Sequence, residues 1–187
     1  MESTLAILFY FVVLIYSIMA HEVAHGAVAD SLGDPTARLA NRLNFNPLNH
    51  IDPFGSIFLP LFLYFISGGS FVFGWAKPVP YNPYNLRNPE KAAGLIAAAG
   101  PLTNISIAIV FGLFLRFFAA TVSPVLVALL AMIIHLNIVL AVFNLVPLPP
   151  LDGSKVLFAL LPPRFNGLKV FLESQGMIIL LFFMFFG

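Results

Sequence analysis

The chain has 187 residues, of which 60% are hydrophobic and 9% charged, against about 25% charged in an ordinary soluble domain, which marks an integral membrane protein. Its net charge of +1 offers no basic surface for phosphates, and its 21 Phe beside a single Trp suit a core and a lipid face, so nucleic-acid binding is excluded. The absence of Cys excludes disulfides and thiolate metal sites, so any zinc must be held by histidine and carboxylate.

In chain order, an apolar run over 5–32 is the first candidate span. Glu2 stands where a signal peptide would carry positive charge, so the run reads as an uncleaved membrane helix. Gly33-Asp34-Pro35 stops it. Near its C-terminal end stands His21-Glu22-Val23-Ala24-His25. On a helix this HExxH spacing puts both imidazoles on one face, within reach of one tetrahedral Zn²⁺. Glu22 is then left beside the metal to take a proton from water. An ionisable cluster abutting so apolar a run costs about 2.5–3.5 kcal/mol per charged group on insertion scales, and a bound metal offsets that cost.

Residues 41–49 alternate polar with apolar side chains and predict a short β-strand or hairpin. Residues 54–75 are apolar, interrupted by Gly68-Gly69, and long enough to span. Pro78, Pro80, Pro83 and Pro89 make the following stretch a loop. Further spans are predicted over 92–119, 124–146 and 168–186. No internal repeat interrupts this pattern. The expected fold is an all-α polytopic membrane protein with four full transmembrane helices, a re-entrant apolar segment and a short β-hairpin or strand, in one integral-membrane domain over 1–187.

The second unusual segment runs from Asn144 through Pro147, Pro149 and Pro150 to Leu151-Asp152-Gly153. Prolines remove backbone donors and break a helix at membrane depth, which is tolerated where the chain is buried in protein or lines a wet cavity. Asp152 is the expected third ligand of a His₂Asp site with its fourth position open, a catalytic arrangement. Gly153 is expected to form the tight turn that aims the carboxylate. For Asp152 to reach His21 and His25, the two helix ends must share a face of the membrane, so 54–75 is expected to be re-entrant. On that topology Arg38, Arg42, Lys77, Arg87, Lys91, Lys155, Arg164 and Lys169 share one side. The positive-inside rule puts that side, and the active-site end, in the cytosol.

HEVAH in the first span, Gly100-Pro101-Leu102-Thr103-Asn104 in a later one and the 144–153 segment together resemble the site-2 protease family of intramembrane zinc metalloproteases. With His50-Ile51-Asp52-Pro53 and Trp75-Ala76-Lys77-Pro78-Val79-Pro80 the resemblance extends over nearly the whole chain. It is closest to the compact prokaryotic subgroup without a PDZ domain. The resemblance implies one Zn²⁺ per chain held by His21, His25 and Asp152. It further implies that Glu22 is the general base, that Asn144 stabilises the oxyanion, and that the substrate is a transmembrane segment of another protein in the lipid bilayer. The 41–49 strand would pair with an unwound substrate segment.

The remaining polar residues have plainer readings. His135 is expected to be packed and hydrogen-bonded within its helix, His50 to serve a turn, and Arg116 to snorkel. Gly100-Pro101 and Asn104 are expected to serve helix packing and an interhelical hydrogen bond, without direct chemistry. An alternative function is a zinc-binding transport or channel protein, which would ordinarily show paired repeats or a polar path across the bilayer. A catalytically idle scaffold is disfavoured by the retained Glu22.

Overall fold

The computed structural model describes residues 2–66, 68 and 77–186, and these are mostly helical. Helix α1 (Glu2–Ser31) ends as expected, with Gly33 in the left-handed region at φ +105. The Gly33 and Asp34 amides donate back to Asp30 O and Ala29 O at 3.1 and 3.0 Å, satisfying carbonyls the helix leaves open.

Asp34 then becomes an anchor. Its fully buried carboxylate accepts from Thr36 Oγ1 and N, from Asn85 Nδ2 at 2.7 Å and from Asn82 N at 2.6 Å. Burial alone would raise its pKa. The hydrogen bonds from Thr36, Asn85 and Asn82 outweigh burial and hold it below the usual carboxylate range. The loop before α5 is thereby tied to the end of α1.

The expected strand over 41–49 is not formed, and no strand occurs among the described residues. The short helices α2 (Thr36–Leu39) and α3 (Pro47–His50) flank a knot of asparagine turns. Asn41 adopts φ +53, Asn44 Nδ2 donates to Asn41 O at 2.7 Å, and Asn44 Oδ1 and Asn46 Oδ1 accept from Asn46 N and Leu48 N. Asparagine side chains thus take up the backbone groups a strand would have paired, which is why the alternation misleads. His50 Nε2 donates to Asn44 O at 2.9 Å, in keeping with its reading as a turn residue.

The apolar segment opens with a π-helical turn, Pro53–Phe58, whose first amides are capped by Asp52, and continues as α4 (Leu59–Ile66). Six residues and then eight rise roughly 20 Å at 1.5 Å each, short of the ~30 Å hydrocarbon core. Gly68, one of the two expected turning residues, has φ +63. Gly69 and the rest of that expected segment lie outside the described residues. Beyond it, the Lys77 amide donates to His50 O at 2.9 Å, so the chain returns to the residue it left.

The spans follow as α5 (Pro89–Phe118), α6 (Pro124–Asn144) and α8 (Asn166–Phe186), with α7 (Asp152–Leu160) between the last two. Proline at the first position and an Asn88 or Ser123 side-chain cap start α5 and α6. With α1, four helices are long and apolar enough to cross a membrane. Helix α5 is central and packs on α1, α6 and α7. Its contact face is small: Ala92, Gly94, Ala97, Gly100 and Ala108 are buried. A Cβ on Gly94 would stand 2.4 Å from Ala159 Cβ of α7. Without a hydrophobic force between helices in lipid, such close backbone approach holds them together. Large side chains point outward instead, such as Phe117 at 69% and Ile178 at 63% exposure, as suits lipid contact.

Two polar residues of the long helices are exposed. Arg116 is exposed in the last turn of α5, as snorkelling requires. His135 is exposed on the outer surface of α6 rather than packed.

Candidate metal centre and active site

The buried face of α1 is built around Ser17, His21 and the turn that follows. His21 is 7% exposed and His25 sits one turn on, their rings perpendicular with centroids 4.6 Å apart. Ligand atoms of His21, Glu22 and His25 lie within 4.8 Å of one another. Asp152, remote in sequence, brings its Oδ2 to 2.9 Å from His21 Nε2 and 3.3 Å from His25 Nε2.

Asp152 is the first residue of α7, and the prolines before it do the placing. Tight turns link Leu148 N to Val146 O and Leu151 N to Leu148 O, at 2.8 and 2.9 Å. The Ser154 hydroxyl, fully buried, donates to Leu151 O at 2.7 Å. Gly153 serves close approach rather than a left-handed turn: a Cβ there would lie 2.2 Å from Leu145 O and 2.6 Å from Val146 O. Only glycine lets α7 start directly against the end of α6.

The donor set fits a zinc ion on chemical grounds. His25 Nδ1 lies 2.7 Å from Ile96 O, a carbonyl that can only accept, so Nδ1 carries a proton and the lone pair of the neutral ring is then at Nε2. That lone pair and His21 Nε2 both face one carboxylate oxygen, an arrangement that repels unless protons or a cation lie between. Atoms bound to one tetrahedral zinc at about 2.0–2.2 Å stand roughly 3.3–3.6 Å apart; the 3.3 Å between His25 Nε2 and Asp152 Oδ2 matches, and the 2.9 Å between His21 Nε2 and Asp152 Oδ2 is shorter. The acceptors behind the rings, Asn104 Oδ1 at 2.6 Å from His21 Nδ1 and Ile96 O, are the partners that metal-binding histidines ordinarily have.

Glu22 is placed by a feature the sequence reading missed. In Pro78-Val79-Pro80 the Val79 amide is the one backbone donor, because proline has no N–H, and it donates to Glu22 Oε2 at 2.9 Å. Arg42, itself 5% exposed, holds this strap by donating to Lys77 O at 2.5 Å. Val79 also rests on α1: a Cβ on Gly26 would meet Val79 Cγ1 at 2.8 Å. Two prolines flanking one amide was the available signal.

Asn144, the last residue of α6, faces the same cleft, with Nδ2 donating to Leu140 O at 2.9 Å. All five expected site residues therefore line one cleft of about 600 Å³, whose walls are mainly apolar side chains such as Ile18, Phe143, Met177 and Leu180. Gly100 contributes more than helix packing, since a Cβ there would stand 2.5 Å from His21 Nε2. The imidazole lies directly on the α5 backbone.

Sequence comparison with known proteins points to a family. The profile of peptidase family M50 matches residues 115–186, which take in Asn144 and Asp152. YwhC of Bacillus subtilis, which bears a zinc-metalloprotease name, is 39% identical over 178 residues, covering 91% of this chain and 77% of YwhC. A match of that extent includes both HExxH and Asp152 wherever it begins. MJ0611 of Methanocaldococcus jannaschii is 35% identical over 101 residues, 54% of this chain and 50% of that protein. Rip2 of Mycolicibacterium smegmatis is 27% identical over 150 residues, 80% of this chain and 54% of Rip2. Both also bear zinc-metalloprotease names. No solved structure gives a significant match. The chain belongs to peptidase family M50, the site-2 protease family, and is a multi-pass integral membrane zinc metallopeptidase.

Proposed function

We propose that this protein is an intramembrane endopeptidase that hydrolyses peptide bonds in or beside transmembrane segments of other membrane proteins, with one Zn²⁺ per chain held by His21, His25 and Asp152. The observation that carries this reading is the cleft. Its polar groups converge on one point, while its walls come from the membrane helices α1, α6 and α8. An apolar substrate segment matches such walls, and a soluble peptide does not.

Zinc supplies polarisation of the scissile carbonyl and lowers the pKa of water towards about 7. The protein's own groups do the rest. Glu22, held through Oε2 by the Val79 amide, keeps its other oxygen free to accept the proton of the attacking water and later deliver it to the leaving amine. Asn144 Nδ2 has a second N–H beyond the one given to Leu140 O, and this donates to the developing oxyanion, an interaction worth a few kcal/mol. The apolar walls exclude bulk water and strengthen both contacts.

The site is assigned to the cytosolic face. The hydrogen bond from Lys77 N to His50 O supports a segment that enters and leaves on the same side. Helices α5 and α6 then cross away and back, bringing Asp152 to the end of α1, on the side where the lysines and arginines cluster. Single cysteines at Thr36 and Asn85 are expected to react with an impermeant thiol reagent from the cytosolic side only. Labelling from opposite faces would break the topology.

The substrate reading is tested by incubating the detergent-purified protein with a panel of single-span membrane proteins and reading products by mass spectrometry. Cuts are expected within or at the edge of the apolar segment. Cuts confined to soluble regions would replace this reading with that of a surface peptidase.

A further inference from the structure

Behind His21, on the side away from Asp152, Asn104 is the first member of a longer hydrogen-bonded chain. It runs across three helices at membrane depth. Asn104 of α5 and Asn137 of α6 are fully buried, and Ser17 of α1 is 5% exposed. Buried amides in such surroundings are costly unless every group is satisfied, and their arrangement has a direction. Ile133 O is a carbonyl and can only accept, so Asn137 must present its NH₂ there, at 2.9 Å, and to Ser17 Oγ at 3.0 Å. That turns Asn137 Oδ1 toward Asn104. An amide oxygen also only accepts, so Asn104 answers with Nδ2 at 2.8 Å, and the same nitrogen lies 3.4 Å from Ser17 O. Asn104 Oδ1 is left facing His21 Nδ1 at 2.6 Å. Each orientation forces the next.

We propose that Asn104, Asn137 and Ser17 are positioning residues that fix the tautomer of His21, holding the proton on Nδ1 and the lone pair on Nε2, where it ligates zinc. The proposal rests on the assignment of His21 as a ligand. Helical spacing builds the relay: Ser17 and His21 stand four residues apart on α1, and Gly100 and Asn104 four apart on α5. Gly100 makes room for the imidazole ring, and Asn104 takes its proton-bearing nitrogen. The opposite tautomer would set an imidazole lone pair against an amide oxygen and a proton into the metal position. His25 gets the same constraint from a single backbone carbonyl, Ile96 O. Among the described residues no backbone carbonyl meets His21 Nδ1, and the amide chain substitutes for one.

The test is the zinc dissociation constant of the full-length detergent-purified protein, measured by competition with a chromophoric chelator. Asn104→Leu, of similar shape, is expected to weaken binding about 10–100-fold. Asn104→Asp, which keeps an acceptor for Nδ1, is expected to retain most of the affinity. Asn137→Leu leaves the Asn104–His21 contact in place but frees the amide to turn over, and is expected to cost less than Asn104→Leu but a measurable amount. Wild-type affinity in Asn104→Leu or Asn137→Leu overturns the relay, as does equal loss in Asn104→Asp and Asn104→Leu, which would mean packing alone. Should Asn104→Leu not fold, the milder Asn137→Leu decides. His21→Ala separates the two claims. Wild-type affinity there removes His21 from the ligand set and the relay with it. Loss there beside wild-type affinity in Asn104→Leu overturns the relay only.

Discussion

Glu22→Gln is expected to keep its zinc and to lose peptide hydrolysis by about 10²–10⁴-fold, the share of the rate that a positioned base contributes. Glutamine has the same shape, and its side-chain oxygen still accepts from the Val79 amide, so the strap over the cleft stays in place. What disappears is the second oxygen's capacity to take a proton. Elemental analysis and product counting on the same preparation separate the two effects. Normal cleavage by Glu22→Gln would remove it from the base role and reopen the transport reading.

Gly100→Ala is expected to damage the metal centre although no ligand is itself replaced. The added methyl would stand 2.5–2.6 Å from three atoms of the His21 ring. That ring is held between Asn104 and Asp152, at 2.6 and 2.9 Å. The strain must go into the α1–α5 packing, at about 1–3 kcal/mol for an overpacked core, and zinc binding is expected to weaken more than tenfold, roughly the cost of a lost supporting contact. Gly112→Ala on the same helix is the control, because nothing lies within 4 Å of its Cβ position. Thermal unfolding in detergent, with and without zinc, reads both changes. A Gly100→Ala protein indistinguishable from Gly112→Ala would contradict the close seating of His21.

The spans were legible because lipid imposes a length and a composition on them, and the zinc cluster because HExxH needs only the helical repeat to bring its groups together. Asp152 could be anticipated from proline at membrane depth followed by a carboxylate. The asparagine turns over 41–49 could not be told from a strand by alternation, since asparagine side chains can replace strand hydrogen bonds with local ones. Gly100 was expected to serve helix packing and Gly153 to form a tight turn. Their purpose is set by what they touch, His21 in one case and Leu145 O in the other, and those neighbours are 79 and 8 residues away in sequence. The Val79 amide and the Asn137–Asn104 chain depend on tertiary juxtaposition in the same way. His135 shows the converse, a polar residue whose expected packing was inferred from its position alone.

Two histidines of α1 and the first residue of α7 are proposed to hold one metal. The most direct test is metal analysis of the purified wild-type and Asp152→Ala proteins after equilibration with limiting zinc. About one zinc per wild-type chain is expected, bound through nitrogen and oxygen at roughly 2.0–2.2 Å, with strongly reduced occupancy in Asp152→Ala. Full occupancy with unchanged affinity in Asp152→Ala would contradict this assignment.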